Sequence, residues 1–424
     1  MNFIQNKFKS LTDDNQPDYV LFYLSSILII ISILFSYSLS IYTVVYWEYN
    51  PFHFFYRQLF TGLLAILIMW SLAQIKPDIL LPKAGWFLFG FFLFLIVIMQ
   101  FLPSFMVTES GGAKRWIRLP GISLSPVEFF KIGFIYYLAW SFHRKLTDII
   151  KQSFKDELKL LAPYAIVFGF VVFMIAVLQK DLGQVVLLAT TLFIMLIFAN
   201  RSWKVFASLF AIAIAGIFAL ILFFPHRIIR IKSWWSMVQD SVLSIMPDFV
   251  SNALRIKEFP EPYQVGHSLN AINNGGFTGV GLGNGSLKLG FLSEVHTDFV
   301  LAGITEEVGF IGVLFIILII FGIIFRIFRT SRRILDTKYH LFTIGIGLMI
   351  SIAFLINSYG ISGIIPIKGI AVPFLSYGGS SLLSVAIAVG LVPGHDEEDN
   401  NIGLHLHYVK GIGEHNDFGV GIIA

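Results

Sequence analysis

Asp298 closes a short polar stretch, Glu294-Val295-His296-Thr297, and stands at the head of an apolar run that continues to about Phe325. That run is long enough to cross a bilayer, which takes ~20 helical residues. A carboxylate at such a place is costly unless it is hydrated, paired or capping, since Asp at mid-bilayer costs about 2.5–3.5 kcal/mol on insertion scales. Glu306 and Glu307 follow about 12 Å further along a helix that rises ~1.5 Å per residue. Three acids on one apolar helix call for a water-filled cavity and for cationic partners.

Candidate partners lie earlier in the chain. Ser125-Pro126-Val127-Glu128 reads as a capping box with proline at the first helical position, which gives Glu128 a structural task. Lys131 sits one turn further, near the positive end of the helix dipole, where a cation is disfavoured. It therefore expects an anion, and Asp298 is the candidate. Lys114 and Arg115, beside Trp116 in Gly111-Gly112-Ala113-Lys114-Arg115-Trp116-Ile117, suit a phosphate or pyrophosphate. For Trp116, anchoring in the headgroup layer is the commoner use.

Other polar groups carry weaker signals. Gln264, His267 and Ser268 suit a polar ligand, although satisfied loop groups are commoner. Gly275, Gly276, Gly279, Gly281, Gly283 and Gly285 lack the strand and βαβ context of a dinucleotide loop and read as a turn that needs positive φ. Ser376, Tyr377, Gly378, Gly379, Ser380 and Ser381 mark a helix start that either receives an anion on free N–H groups or packs closely against a neighbour. His226, His267 and His296 have no helical metal-ligand spacing. In the turn Gln179-Lys180-Asp181, a local ion pair is the default.

The elements that must position these groups follow from composition. Among 424 residues, 56% are hydrophobic and only 13% charged, with a mean hydropathy of +0.78. Soluble domains carry about a quarter charged residues, so an all-α polytopic membrane protein is expected. Cysteine is absent, which excludes disulfides, thiolate nucleophiles and cysteine metal sites. Apolar runs near 19–40, 54–73, 85–103, 126–142, 161–178, 183–200, 205–224, 298–325, 341–360 and 370–392 predict about ten spans. The first reads as an uncleaved span after a polar segment, 1–18, and the membrane domain as 19–392. Residues 225–297 form a large connecting loop, and 393–424 read as a tail.

Cations cluster on alternate connections. Lys7, Lys9, Lys76, Lys83, Arg144, Lys145, Lys151, Lys155, Lys159, Arg201, Lys204, Arg326, Arg329, Arg332, Arg333, Lys338 and Lys410 fall on the side of the termini, against Arg57, Lys114, Arg115, Arg118, Lys180 and Lys368 in the short loops opposite. The positive-inside rule then places both termini in the cytoplasm and the polar motifs outside. Within the loop, Arg227, Arg230 and Lys232 interleave with Ile228, Ile229, Ile231, Trp234 and Trp235, as in an interfacial helix with snorkelling cations. Residues 239–262, with Pro247, Pro260 and Pro262, read as irregular.

GGAKRWI at 111–117, P-x-E-x-x-K at 126–131, KDLG at 180–183, YQVGHSLNAINNGG at 263–276, GVGLG at 279–283, HTDF with EE-x-GF-x-G at 296–312 and IPIKGIAVPFLSYGGSSLL at 365–383 together resemble the SEDS family of shape, elongation, division and sporulation proteins, which includes FtsW and RodA. Lys368 before Gly369, with GVGLG, is closer to the division branch. The resemblance implies a peptidoglycan glycosyltransferase in the bacterial cytoplasmic membrane that polymerises lipid II, the undecaprenyl-pyrophosphate-linked disaccharide pentapeptide. Its implied partners are a class B penicillin-binding protein transpeptidase, other division proteins and membrane lipids, with no nucleic acid. The family's essential acid falls on Asp298 and its basic partner on Lys131. Departures are Ser-Pro-Val-Glu for Gln-Pro-Ser-Glu, Leu-Ser-Glu for Leu-Pro-Glu, a long 236–258 loop and the tail after Val392.

On that basis Asp298 is expected to take the proton from an acceptor 4-hydroxyl, supported by Lys131, Glu128, His296 and Thr297. Lys114 and Arg115 would hold the pyrophosphate, with room for a divalent cation such as magnesium or manganese. Trp116, Gln264, Ser268, Glu306, Lys368 and the segment Ser376, Tyr377, Gly378, Gly379, Ser380 and Ser381 are the expected substrate contacts. Pairing with Lys131 would keep Asp298 ionised yet weaken it as a base. A lipid II flippase, an elongation-type polymerase and a non-catalytic division scaffold are the rivals. A flippase should line both halves of its path with polar groups, whereas here they crowd one end.

Overall fold

In hydrocarbon every backbone N–H and C=O must find its partner within the segment, so an apolar run has to close as a helix. The apolar runs do so in the computed structural model, which describes residues 15–396 except 111, 120–121, 147–153, 199–202, 257–259, 261, 293 and 367–368. In chain order the helices are α1 (Tyr19–Leu39), α2 (Ile41–Tyr46), α3 (His53–Ala73), α4 (Pro77–Ile98), α5 (Pro126–Leu146), α6 (Phe154–Val172), α7 (Leu182–Phe198), α8 (Trp203–Leu222), α9 (Pro225–Leu243), α10 (Asp248–Leu254), α11 (Tyr263–Gly275), α12 (Val300–Ser331), α13 (Thr337–Ile361) and α14 (Gly379–Gly390). A π-helical turn, Phe173–Leu178, extends α6.

The protein is a mostly helical, multi-span membrane protein. Among the described residues five helices, α1, α3, α4, α12 and α13, are long and apolar enough to cross a membrane by length and composition, and six if Phe210–Leu222 and Arg227–Leu243, bent by 99°, form one broken span. The shortfall from ten has physical sources. Helix α5 carries Glu128, Lys131, His143 and Arg144, while α7 has 17 residues and α14 only 12.

Two features depart from an all-helical expectation. Residues 107–124 form a three-stranded antiparallel sheet, β2 (Val107–Ser110), β3 (Ala113–Leu119) and β4 (Ile122–Leu124). A two-residue ladder joins β1 (Asn15–Gln16) to β5 (His395–Asp396), so the two ends of the described chain meet at one face. The 225–297 loop is also more regular than expected. Pro247 and Pro262 stand at the N-caps of α10 and α11, where a missing N–H costs nothing. The expected 1–18 segment and 393–424 tail fall mostly outside the described residues.

The helix that follows Asp298 is broken. Gly309 takes φ 68° and ψ −174° inside α12, which splits it into a half-helix from Val300 and a long arm from Phe310. The glycine-rich loop occupies the break. Val280 and Gly281 donate their N–H groups to Glu306 O and Glu307 O (3.0 Å each), while Phe310 and Ile311 donate to Gly276 O (2.9 Å) and Phe277 O (3.1 Å). Backbone groups freed by the break are thereby satisfied. The positive φ of Gly276, Gly279, Gly281 and Gly283 agrees with the turn reading, but their task is also close approach. A Cβ on Gly309 would overlap Gly279 N, and one on Gly279 would overlap Glu307 O.

Gly309→Ala is therefore expected to lower thermal stability by at least the ~1–3 kcal/mol of a strained backbone position, read as the melting temperature of the detergent-solubilised protein. Gly169→Ala, in α6 with open space around its Cβ site, is the control. It should be neutral or slightly stabilising, and equal losses in the two variants would refute this account of the break.

Candidate active site

At one end of the bundle the starts of α3, α5, α7, α12 and α14 and their connecting loops enclose a cavity of about 1170 Å³. Asp298 is on its wall, in the turn before α12. Its backbone is stitched to the 370–377 segment. Asn357 donates to both Asp298 O and Ile370 O (2.7 Å each). Ser376 Oγ accepts from Val372 N (2.8 Å) and donates to Thr297 O (2.7 Å), and Tyr377 N donates to His296 O (2.9 Å).

The carboxylate itself is left open: among the described residues nothing hydrogen-bonds to it. Gly369, at φ +61°, makes room, since a Cβ there would come within 3.0 Å of Asp298 Oδ2. Burial, then the charges of Glu294 and Asp181, push the Asp298 carboxyl up to about 7, with Arg115 pulling the other way.

Arg115 is held from behind. Its Nε donates to Gln179 O (2.9 Å) and its Nη2 to Lys180 O (3.1 Å), carbonyls exposed where the π-turn ends and Lys180 adopts φ +51°. Asp181 accepts from Gln184 N (3.2 Å) at the start of α7. Its carboxyl is raised by burial and held back by Arg115. Arg227 completes this wall with Nη1 on Leu220 O (2.8 Å) and Nη2 on Ala176 O (2.6 Å), its guanidinium 4.4 Å from the Phe224 ring centre. The interleaved sequence pattern assigns it to the headgroup layer as a snorkelling cation. It is instead a buried cation lining the cavity.

Glu128 also lines the cavity. Its Oε2 accepts from Lys131 Nζ and its Oε1 from Gln184 Nε2, both at 2.9 Å. Two expectations are corrected here. Lys131 pairs with Glu128, its i,i+3 neighbour on the helix, and not with Asp298, and it does not line the large cavity. The capping box does not form either, because the Ser125 N–H goes to Ser380 Oγ (3.0 Å), which in turn donates to Ser123 O (2.9 Å).

The remaining candidates divide. Trp116, Gln264, Thr297, Tyr377, Gly378, Gly379, Ser380 and Ser381 lie on the cavity wall. Thr297 donates to Glu294 Oε2 (2.7 Å), and Gly378 N to Gln58 Oε1 (3.4 Å). His296 packs its ring against Phe54 and Tyr377. Burial lowers its pKa, and Glu294 acts against that.

Lys114 turns away, donating to Gln100 O (3.0 Å) and Leu102 O (2.7 Å). Ser268 is buried with its hydroxyl on Ile361 O (3.0 Å), and Ser376 is a strut rather than a wall residue. Glu306 is no substrate contact: it accepts from Asn274 Nδ2 (2.8 Å) and Ser286 N (2.9 Å). Lys368 lies outside the described residues. Sequence reasoning misses Gln184, Gln58 and Asn357, and Lys288, which supplies the cationic partner of Glu307 at 2.7 Å. Among the described residues no group of three or more His, Asp or Glu is placed to hold a metal.

A family model for the cell cycle proteins FtsW, RodA and SpoVE matches residues 18–400. The chain belongs to this family. A probable peptidoglycan glycosyltransferase FtsW of Helicobacter pylori strain 26695 is 48% identical over 380 residues, which is 88% of this chain and 97% of that one. A protein of the same name from Idiomarina loihiensis is 33% identical, covering 84% and 80%. The solved RodA of Thermus thermophilus, a rod shape determining protein, superposes with a TM-score of 0.59 at 21% identity over 89% of this chain and 95% of that one. A chain from a peptidoglycan synthase complex that coordinates polymerization and crosslinking gives 0.65 at 21% identity, covering 89% and 96%. At that identity the two structures show a shared fold.

Proposed function

We propose that this chain is a peptidoglycan glycosyltransferase of the FtsW kind, polymerising lipid II at the outer face of the cytoplasmic membrane during septal wall synthesis. The observation that carries the chemistry is the Asp298 carboxylate, open on the wall of a cavity large enough for sugars and close to the charge of Arg115. The acceptor's 4-hydroxyl oxygen attacks the donor's anomeric carbon, and Asp298 takes the hydroxyl proton. The bond from that carbon to the lipid pyrophosphate breaks, with its electron pair leaving on the phosphate oxygen. Donors of Arg115 and Arg227 not spent on carbonyls stabilise that departing charge. Glu294, with Asp298 beside it, would be the carboxylates to hold a magnesium or manganese ion, since such ions need only one or two, and the ion would supply positive charge next to the departing pyrophosphate.

Ten crossings with both termini in the cytoplasm fit the cation asymmetry, and an even number fits the meeting of β1 with β5. A class B penicillin-binding protein is the partner in crosslinking. A flippase fits less well, because the cavity and its charges occupy one end of the bundle. Purified protein given fluorescent lipid II, with and without the transpeptidase and with and without chelator, should make glycan chains. Movement of lipid II across a vesicle membrane without any polymer would overturn the reading in favour of transport.

A further inference from the structure

Behind the Glu128 carboxylate lies a second, small chamber of about 20 Å³, lined by Lys131, Gln184, Ala353, Ser381 and Ser384 among others. A water molecule needs ~10–15 Å³ by this measure and two to four polar partners. Gln184 is buried, and its amide has one possible orientation. A carboxylate only accepts, so Nε2 must face Glu128, and Oε1 is left as a buried acceptor with no partner. Lys131 spends one of its three N–H donors on Glu128. The chamber thus meets an orphaned acceptor, spare ammonium donors and the hydroxyl-bearing start of α14.

We infer that Gln184 is a positioning residue for the glycosyl transfer, and that one water in this chamber joins its Oε1 to the Lys131 ammonium. The inference rests on the glycosyltransferase reading. Gln184 acts through Glu128: with one oxygen on Lys131 and the other on Gln184, the carboxylate is fixed in the wall it shares with Asp298. Its charge is balanced there rather than free to turn toward the acid that must take a proton. The groups facing Glu128 are Lys131 on its own helix and Gln184 on α7. Arg57, Arg115, Lys180, Asp181, Arg227, Arg230, Glu294 and Asp298 are the other charged groups that line the same cavity. Helices α13 and α14 present Met349, Ile350, Ala353, Ser381 and Ser384, and α4 presents the aromatic ring of Phe92, stacked on Phe129.

Gln184→Glu is the informative variant. While protonated, the introduced carboxyl reproduces the amide, with its O–H donating to Glu128 and its C=O accepting from the water. Once it ionises, two carboxylates oppose each other. The polymerisation rate of this variant relative to wild type is expected to fall by tenfold or more, about the loss seen when outer-shell partners are removed, as pH rises from 6 to 9. Gln184→Leu should lose a similar factor in kcat at every pH with KM for lipid II little changed, and Ala353→Leu, which fills the chamber from α13, should do the same. A pH-independent Gln184→Glu ratio alongside an active wild type overturns the positioning role while leaving the proposed function standing. Wild-type protein that makes no glycan overturns both. The water is read without activity, from a high-resolution density map of the wild-type protein: a peak within hydrogen-bond distance of Gln184 Oε1 and Lys131 Nζ is expected, and an empty chamber refutes it.

Discussion

Asp298→Asn is expected to cut glycan polymerisation by at least the ~10²–10⁴-fold that a positioned general base contributes, with the protein still folded. Asparagine keeps the shape of the side chain and cannot accept the hydroxyl proton. Because burial and neighbouring acids raise the Asp298 carboxyl to about 7, the wild-type rate should climb with pH up to about that value and level off above it, since only the ionised form is a base. The same shift has a stability consequence. An unfolded Asp titrates near ~3.9, so between there and about 7 the folded state binds the extra proton. Stability is then full below the unfolded value and is lost as pH rises through the folded one. Asp298→Asn removes that loss, and its melting temperature should exceed that of wild type at pH 8 and match it near pH 4. A variant with wild-type chain length and rate on labelled lipid II would exclude Asp298 as the base.

The helices and the acid are legible in the sequence, because both depend on local properties: apolar run length for the first, and a carboxylate at the head of such a run for the second. Groups whose partners are distant in sequence are not. Lys131 matches Asp298 on charge alone, yet Glu128 is one turn away on the same helix, and Gln184 arrives from 56 positions downstream to fix that pair. Lys114 and Arg115 read as a joint pyrophosphate clamp. They are neighbours on strand β3, but the Lys114 ammonium is spent on the Gln100 and Leu102 carbonyls and only Arg115 lines the cavity. Gly111-Gly112 between two short β-prone runs is the available signal for that hairpin. Arg227 looks like a snorkelling cation because helical periodicity says nothing of the 99° bend that swings its helix over the cavity. Gly276, Gly279, Gly281 and Gly283 have the positive φ that the sequence suggests, whereas Gly275 ends α11 and Gly285 has no such φ; that a broken α12 is what they pack against is not legible.

That packing sets up the second large effect. Lys288 and Glu307 form an ion pair at 2.7 Å with side chains 1% and 0% exposed, and Ser38 on α1 bridges them, donating to Glu307 Oε1 (2.6 Å) and accepting from Lys288 Nζ (3.0 Å). The pair ties the loop that leads to Asp298 to α1 and to the break in α12. Removing one partner strands the other charge in a dry interior, which typically costs ~3–5 kcal/mol. Glu307→Gln and Lys288→Met are each expected to lower the melting temperature steeply and to reduce yield of folded protein. The combined variant should recover a large part of the loss, because no uncompensated charge remains and the coupling between contacting residues is not additive. If the single variants melt with wild type, water reaches the pair and it is not the clamp described. If the combined variant melts no higher than the worse single one, the ion pair is holding the loop by its geometry, and neutral side chains of similar size cannot replace it.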